Sequence, residues 1–280
     1  MIVINQETCV GCGACVKDCP GSAIHLDEGI AAAIRPCIQC GHCVAVCPVN
    51  AVSIPEFDME DVEEYREGEF SVSGEHFLRA VKYRRSIRSF KKEIPDRETI
   101  GKILEAGRYT ATAKNMQDCT FVVVRERLAE FKSLVWQEMP GIIRSLKETG
   151  PDYARAFSLF YKLWERDREK DTFFFNTPVF LVIASENPLD GGLAAANIEN
   201  MAVTQGLGVL YSGYMMRVIK ESPVLREWLG IGEKMVSCCM LLGYPIPVNG
   251  PSGNLIIYMG YPDVKYRRTA PRKKADILWK

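Results

Sequence analysis

The chain has 280 residues, with 35 basic and 35 acidic side chains and a formal net charge of zero. This length accommodates one small domain and one of medium size. The longest apolar run, Val179–Ala184, is far too short to cross a bilayer, so we expect no membrane partner.

The charge is unevenly distributed. Residues 1–55 hold two basic and four acidic side chains, and residues 56–70 hold one arginine against eight acids. The neutral total therefore leaves a net of +9 for the remainder of the chain. An acidic front and a basic back indicate docking between parts of the chain or an anionic ligand on the basic part. The excess is modest and no nucleic-acid motif accompanies it, so we expect no nucleic-acid partner.

Eight of the eleven cysteines form two runs within the first fifty residues. Each run reads Cys-x-x-Cys-x-x-Cys-x-x-x-Cys-Pro, and the second repeats the first after twenty-eight residues. Thiolates are soft ligands that suit iron–sulfur clusters. Zinc sites take their ligands in pairs, and a disulfide framework belongs in a secreted chain, so both readings are disfavoured. The first residues resemble no signal peptide, which further disfavours disulfides. Eleven cysteines, eight of them interpreted as thiolate ligands, predict a reducing, cytoplasmic location.

The two runs resemble the bacterial two-cluster ferredoxins over roughly residues 2–54. In that family the fourth cysteine of each run ligates the cluster of the other run. The resemblance therefore implies two 4Fe–4S clusters with exchanged ligands. One would be held by Cys9, Cys12, Cys15 and Cys47, and the other by Cys37, Cys40, Cys43 and Cys19.

The chain order after the clusters predicts a second, larger domain. We expect a ferredoxin domain over residues 1–55, an acidic linker over 56–75 and the larger domain over 76–280. Asp96 is predicted to cap a helix. The other predicted elements are a short helix at Phe77–Val81, helices Glu130–Lys147, Tyr153–Lys170 and Leu193–Gly206, and strands Thr120–Val124, Val179–Ala184, Val236–Leu242 and Ile256–Met259. Because helices and strands mix without strict alternation, the predicted fold class is α+β.

A basic run, Arg84–Arg88, follows the short helix. A phosphate monoester carries nearly two negative charges and three acceptor oxygens, which the planar fork of arginine matches. Ser86 adds a hydroxyl donor. Clustered arginines alone are more often a solvated face, so the run needs support from other segments.

The basic run resembles the opening signature of the nitroreductase family of FMN enzymes, and three later segments match in the family's order. They are the loop Thr110–Gln117, the helix ending at Gly208 with the following Tyr211–Tyr214, and the basic tail after Gly260-Tyr261-Pro262. The resemblance implies a phosphate site, contacts to the flavin ring edge and a backbone segment near flavin N5. The residues implied are Arg84, Arg85, Ser86, Arg88, Arg267 and Arg268 for the phosphate, Thr112, Asn115 and Gln117 for the ring edge, and Ser212 and Gly213 for N5.

Together the two resemblances imply a fused flavin-dependent oxidoreductase. Two 4Fe–4S clusters would pass electrons to FMN and on to a nitroaromatic or quinone-like acceptor, without a catalytic side-chain acid or base. The fused clusters favour reduced ferredoxin or another low-potential donor over NAD(P)H. No Gly-x-Gly-x-x-Gly follows a strand, but nitroreductases bind nicotinamide without that motif. The resemblance also implies a homodimer. The alternatives are an electron-transfer protein with no small-molecule substrate, a reductive dehalogenase and a flavin-degrading enzyme on the same fold.

Two further features have competing interpretations. The aromatic region Phe157–Phe175 is interpreted as packing or dimer burial in preference to a lid over the flavin. The remaining cysteines, Cys119, Cys238 and Cys239, are interpreted as small buried hydrophobes in preference to catalysts.

Overall fold

The computed structural model describes residues 1–69 and 71–246. The chain divides into two compact units. The first comprises Met1–Val72 together with the short segment Thr112–Met116, and the second comprises Ser73–Ala111 and the chain from Gln117 onward. Among the described residues no helix combines the length and apolarity needed to traverse a membrane. The predicted strand Ile256–Met259 lies outside the described residues.

The first unit contains two small antiparallel sheets and two short helices. Its elements are β1 (Val3–Ile4), α1 (Ala14–Asp18), β2 (Ile24–Asp27), β3 (Ile30–Ala33), α2 (His42–Ala45) and β4 (Val52–Ser53). Strand β1 pairs with β4, and β2 pairs with β3. The first and last strands of the unit are therefore neighbours, which brings the two ends of the cysteine-rich segment together.

The described part of the second unit is built on one sheet in the order β5-β6-β8-β7, in which all pairings are antiparallel. The strands are β5 (Thr120–Val124), β6 (Val179–Ser185), β7 (Gly208–Tyr211) and β8 (Met235–Gly243). Every residue of β6 is buried. Phe180, Val182 and Ala184 belong to one apolar core, whereas Val179, Leu181 and Ile183 belong to another. A strand covered on both faces explains the continuous apolar run in the sequence.

Helices cover both faces of this sheet. The helices of the second unit are α3 (Gly74–Tyr83), α4 (Arg97–Arg108), α5 (Leu128–Thr149), α6 (Pro151–Arg166), α7 (Pro188–Thr204), α8 (Gly213–Glu221) and α9 (Pro223–Leu229). Apolar residues of α4 and α7 form the core on one face, and those of α5, α6, α8 and α9 form the core on the other. The predicted α+β fold class is confirmed by this arrangement.

The strand predictions within the described residues are confirmed, with β6 and β8 slightly longer than predicted. The cap prediction is also confirmed, since the Asp96 carboxylate accepts a hydrogen bond from the Thr99 amide at 2.7 Å. Helix α7 begins at Pro188, five residues before the predicted start, because Asn187 caps it and proline suits a first helical position.

Strand β7 and helices α8 and α9 were missed, although their sequence carries start signals. Ser212 and Ser222 cap the two helices by accepting from Met215 N and Leu225 N. A serine three residues before an apolar helical position is a recognised start signal.

The aromatic region packs into the core. Phe157 and Phe174 are fully buried, and the rings of Trp136 and Trp164 stack with centroids 5.1 Å apart. The interpretation of this region as packing is therefore confirmed within one chain. Helix α6 ends at Arg166, so the last residues of the predicted helix Tyr153–Lys170 leave it.

Candidate functional site

The cysteines of the two runs surround two separate cavities in the first unit. One cavity is lined by Cys9, Cys12, Cys15 and Cys47, and the other by Cys19, Cys37, Cys40 and Cys43. The fourth cysteine of each run thus lies with the first three of the other run, the same grouping that the ferredoxin resemblance implies. All eight are free thiols, with none in a disulfide. Four thiols around one cavity fit the Cys₄ ligand set of a 4Fe–4S cluster.

No group of three His, Cys, Asp or Glu side chains in the described ranges converges closely enough to hold a single metal ion. The cysteines instead enclose a space between them. That arrangement suits a cofactor of several atoms whose outer irons each take one sulfur.

Backbone amides support the sulfurs in the same way at both sites. Ala23 N donates to Cys19 Sγ and Ala51 N donates to Cys47 Sγ, each at 3.2 Å. Hydrogen bonds to sulfur are one of the means by which a protein sets the potential of a cluster. These two hydrogen bonds occupy equivalent positions of the repeat. The fourth cysteine of each run therefore has the same backbone donor to its sulfur.

The pKa values of Cys9, Cys15 and Cys43 are shifted by their surroundings. Hydrogen bonds from the backbone at Ala31 and Gly11 lower the pKa of Cys9. Burial raises the pKa of Cys15 and of Cys43, which lie in the apolar core of the unit. A buried thiolate requires a nearby cation, and bound iron would provide it.

The loops between the cysteines repeat an unusual backbone conformation. Gly11 and Gln39, which correspond in the repeat, have φ of +66° and +51°. The same left-handed conformation recurs at Gly13 and Gly41 and at Ser22 and Asn50. At Gly11 a Cβ would overlap the carbonyl oxygen of Gly29, so glycine is required there for both its φ and its size.

We predict that Gly11→Ala abolishes iron binding at the first cavity, which is lined by Cys9, Cys12, Cys15 and Cys47. The added Cβ overlaps Gly29 and the left-handed backbone is strained, so iron per chain should fall by about half if each cavity holds one cluster. Iron analysis of the anaerobically purified variant measures this. Gly41→Ala is the matched control, because its φ is +77° but its Cβ meets no atom within 4 Å. Equal iron retention by the two variants would contradict the prediction.

In the second unit the basic run Arg84–Arg88 lies beside strand β7. Ser86 forms a parallel β-bridge with Val209, and Ile87 N donates to Val209 O at 3.0 Å. Strand β7 leads directly into Ser212 and Gly213. The structure therefore places the predicted phosphate-binding run beside the strand that leads into the predicted ring-facing segment.

The three arginines of the basic run differ in what they contact. Arg84 forms an ion pair with Glu199, with Nη1 and Oε1 3.1 Å apart. Arg85 donates to the carbonyls of Lys82, Tyr83 and Arg84 and so closes the end of α3. The Arg88 side chain is exposed and forms no hydrogen bond or ion pair with the described residues. It is therefore the arginine of this run best placed to bind an anion.

Glu199 was not identified from the sequence. It lies in the middle of α7 and is only 7% exposed. Burial raises its pKa, although the ion pair with Arg84 acts in the opposite direction. Burial also raises the pKa of Tyr211, whose hydroxyl donates to Ala195 O at 3.0 Å. An acidic residue among the apolar positions of a buried helix was the available signal.

We predict that Glu199→Gln changes how stability depends on pH. The folded-state pKa of Glu199 is raised above its ordinary value of 4.5, so its contribution to stability is fully present below that pH. This contribution is lost as the pH rises through the raised pKa and the buried carboxyl ionises. The free energy of unfolding of the wild type should therefore fall relative to that of Glu199→Gln across this window.

Chemical denaturation of both proteins at a series of pH values measures this difference. Glu98→Gln is the matched control, since Glu98 is exposed on α4 and pairs with Lys102. A constant difference between wild type and Glu199→Gln at all pH values would contradict the assignment.

The loop Thr110–Gln117 contains a short 3-10 helical turn, Ala113–Asn115, and has positive φ at Lys114, Asn115 and Gln117. Thr112 and Asn115 belong to the segment counted with the first unit, whereas Gln117 resumes the second. The Asn115 amide nitrogen donates to two carbonyl oxygens in the first unit, and the Gln117 side chain is exposed.

Ser212 and Gly213 occupy the start of α8. Ser212 Oγ accepts from Met215 N, and Ser212 N donates to Cys239 O. A Cβ at Gly213 would meet no atom within 4 Å, so the space over this glycine is open to a ligand. Arg267 and Arg268, predicted to complete the phosphate site, lie outside the described residues.

The cysteines outside the two runs are poorly suited to nucleophilic chemistry. Cys239 is 1% exposed, while Cys119 and Cys238 are partly buried. Burial raises the pKa of Cys119 and raises that of Cys238 to about 12. Because the thiolate is the reactive form, the raised pKa values lower the reactivity of Cys119 and Cys238, which fits their interpretation as packing residues.

Two family models match the chain. A 4Fe–4S dicluster domain matches residues 1–48, and the nitroreductase family matches residues 81–244. Among curated proteins, a ferredoxin of Pyrobaculum islandicum is 56% identical over 27 residues, or 10% of this chain and 25% of that protein. A probable ferredoxin of Methanosarcina thermophila is 55% identical over 29 residues, or 10% of this chain and 50% of that protein. The matches thus span half or less of these curated relatives.

Among solved structures, a nitroreductase with bound FMN from Bacteroides fragilis has a similar fold. The TM-score is 0.50 at 18% identity, covering 70% of this chain and 98% of that one. The chain belongs to the nitroreductase family, with a 4Fe–4S ferredoxin domain preceding the nitroreductase domain.

Proposed function

We propose that the protein is an FMN-dependent oxidoreductase that receives electrons through two 4Fe–4S clusters and delivers them to an organic acceptor. The donor is a low-potential carrier such as reduced ferredoxin, and the acceptor is nitroaromatic or quinone-like. The observation that carries this proposal is the grouping of eight free cysteines into two sets of four in a chain of the nitroreductase family.

The residues around β7 fit the phosphate and ring of FMN. Arg88 offers an exposed guanidinium, and the Ser86 hydroxyl is a further donor on the adjoining segment. Gly213 leaves open space where the start of α8 would face a ring. Phosphate binding by arginine is strengthened by paired, charge-assisted hydrogen bonds. Bound FMN supplies what no side chain here offers, the exchange of electrons singly or in pairs.

Glu199 gives Arg84 a role distinct from that of Arg88. A carboxylate 3.1 Å from Arg84 already compensates its charge and fixes its side chain on α7. We propose that Arg84 holds the basic run against the helix and that Arg88 binds the phosphate. We assign these different roles because Glu199 contacts Arg84. If Arg84 bound the phosphate, the Glu199 carboxylate would lie close to the phosphate and repel it.

We also propose a homodimer. Leu189 and Leu193 lie one turn apart on α7 and are 65% and 46% exposed. Covering them with a second copy of the chain would remove apolar surface from water. Sedimentation velocity of the purified protein distinguishes one chain from two.

The proposal predicts about eight irons and about one FMN per chain in anaerobically purified protein, together with turnover of a quinone or nitroaromatic driven by reduced ferredoxin. Cys12→Ser and Cys40→Ser each remove a ligand from one cavity. Donor-driven turnover should fall by about tenfold or more in both variants while FMN content is kept, because the clusters and the flavin use different residues.

Cys119→Ser is the matched control, because Cys119 lies outside both cavities. Iron content without bound or reconstitutable FMN would overturn the proposal. Full cofactor content without turnover of any small acceptor would also overturn it, and would favour an electron-transfer protein that serves another protein.

We predict that Arg88→Ala weakens FMN binding. Losing one charge-assisted contact to phosphate should raise the dissociation constant by about tenfold or more. Quenching of FMN fluorescence on titration with flavin-free protein measures the constant. Arg97→Ala is the control, since Arg97 forms an exposed ion pair with Glu126 away from the basic run. An unchanged constant in Arg88→Ala would assign the phosphate to other residues.

A further inference from the structure

The side chain of Asn115 forms hydrogen bonds to the loop between two cysteines of the second run. Its amide nitrogen donates to Ile38 O at 2.8 Å and to Gln39 O at 3.1 Å. These residues lie between Cys37 and Cys40, which line the second cavity. The segment Thr112–Met116 that carries Asn115 is part of the same compact unit. Both donors of one carboxamide are thus used on adjacent carbonyls of a single cysteine loop.

This loop has the same left-handed turn as its counterpart in the first run, but glutamine stands where the first run has glycine. Gln39 has a left-handed φ of +51°, and the corresponding Gly11 has +66°. Glycine adopts this conformation freely, whereas glutamine adopts it only when its surroundings impose it. The loop at Gly11 therefore adopts its conformation because glycine permits it. The loop at Gln39 must be stabilised in that conformation by contacts with other residues.

Asn115 provides such contacts. It is 77 residues from Ile38 in sequence, so the interaction forms only when the chain between them is folded. Asn115 itself has a φ of +55°, a conformation that asparagine tolerates better than most residues. A residue held at positive φ whose side chain donates to two adjacent carbonyls indicates a structural role in positioning the loop.

We propose that Asn115 is a positioning residue of the second iron–sulfur site, which holds the Ile38–Gln39 peptides so that Cys37 and Cys40 present their sulfurs to one cavity. The role rests on the second cluster of the proposed function. It also makes the geometry of one cofactor site depend on a side chain 77 residues further along the chain. Asn115 touches the loop and not the sulfurs, so it acts through the backbone.

The test compares Asn115→Ala and Asn115→Asp with the wild-type chain, all purified anaerobically. Alanine removes both hydrogen bonds, and aspartate keeps the shape but, as a carboxylate, cannot donate. Loss of iron to a chelator should be about tenfold faster in both variants, and the electron paramagnetic resonance spectrum of the reduced protein should change. Asn197→Ala is the control, since Asn197 donates to Thr110 within the second unit.

Two backgrounds locate the effect. Cys12→Ala leaves the second cavity with all its cysteines, and Cys40→Ala leaves the first. Asn115→Ala should accelerate iron loss in the Cys12→Ala background and leave the rate unchanged in the Cys40→Ala background. Equal effects in both backgrounds would overturn the proposal, because they indicate general destabilisation.

Wild-type behaviour of Asn115→Asp would also overturn the proposal, since shape alone would then suffice. A wild-type chain with only about four irons would overturn the second cluster and this role together. Two clusters that are indifferent to Asn115 would overturn this role alone and leave the proposed function intact.

Discussion

The antiparallel pairing of β1 with β4 is the constraint on which the first unit depends. It joins Val3 to Ser53 and Ile4 to Val52, and so brings the beginning and end of the cysteine-rich segment side by side. With the ends joined, Cys47 reaches the cavity of the first run and Cys19 reaches that of the second. A pairing of two residues per strand is weak alone. It is supported by the apolar core in which Ile2, Val52 and Ile54 pack beside the cysteines, and bound clusters would add their own binding free energy to folding.

The second unit has an equivalent dependence on β6. Because both faces of this strand are buried, helices must cover both sides of the sheet, and α7 is held against one of them. Helix α7 then presents Glu199 to Arg84, which anchors the basic run beside β7. A buried ion pair contributes little net stability but fixes geometry, since breaking it leaves one charge without compensation. The proposed phosphate site is in this way a consequence of how the sheet is covered.

The sequence predicted those parts of the structure that depend on local patterns. The apolar run of β6, the Asp96 cap of α4 and the spacing of the cysteines each lie within a few consecutive residues. The short strand β7 was missed because four residues that include glycine carry little periodicity. The different roles of Arg84, Arg85 and Arg88 could not be predicted, because they depend on partners such as Glu199, which is 115 residues away.

The same limit applies to Asn115, whose family position indicates the flavin ring but whose hydrogen bonds reach the loop of Cys37 and Cys40. Gly11 and Gln39 carry a related consequence for the ancestry of the repeat. If the two halves arose by duplication, the residue of only one half could replace its counterpart in the other. Glycine could enter the second half without strain, but glutamine in the first half would collide with the carbonyl of Gly29. The second copy therefore tolerates a side chain at this position, whereas the first copy requires glycine.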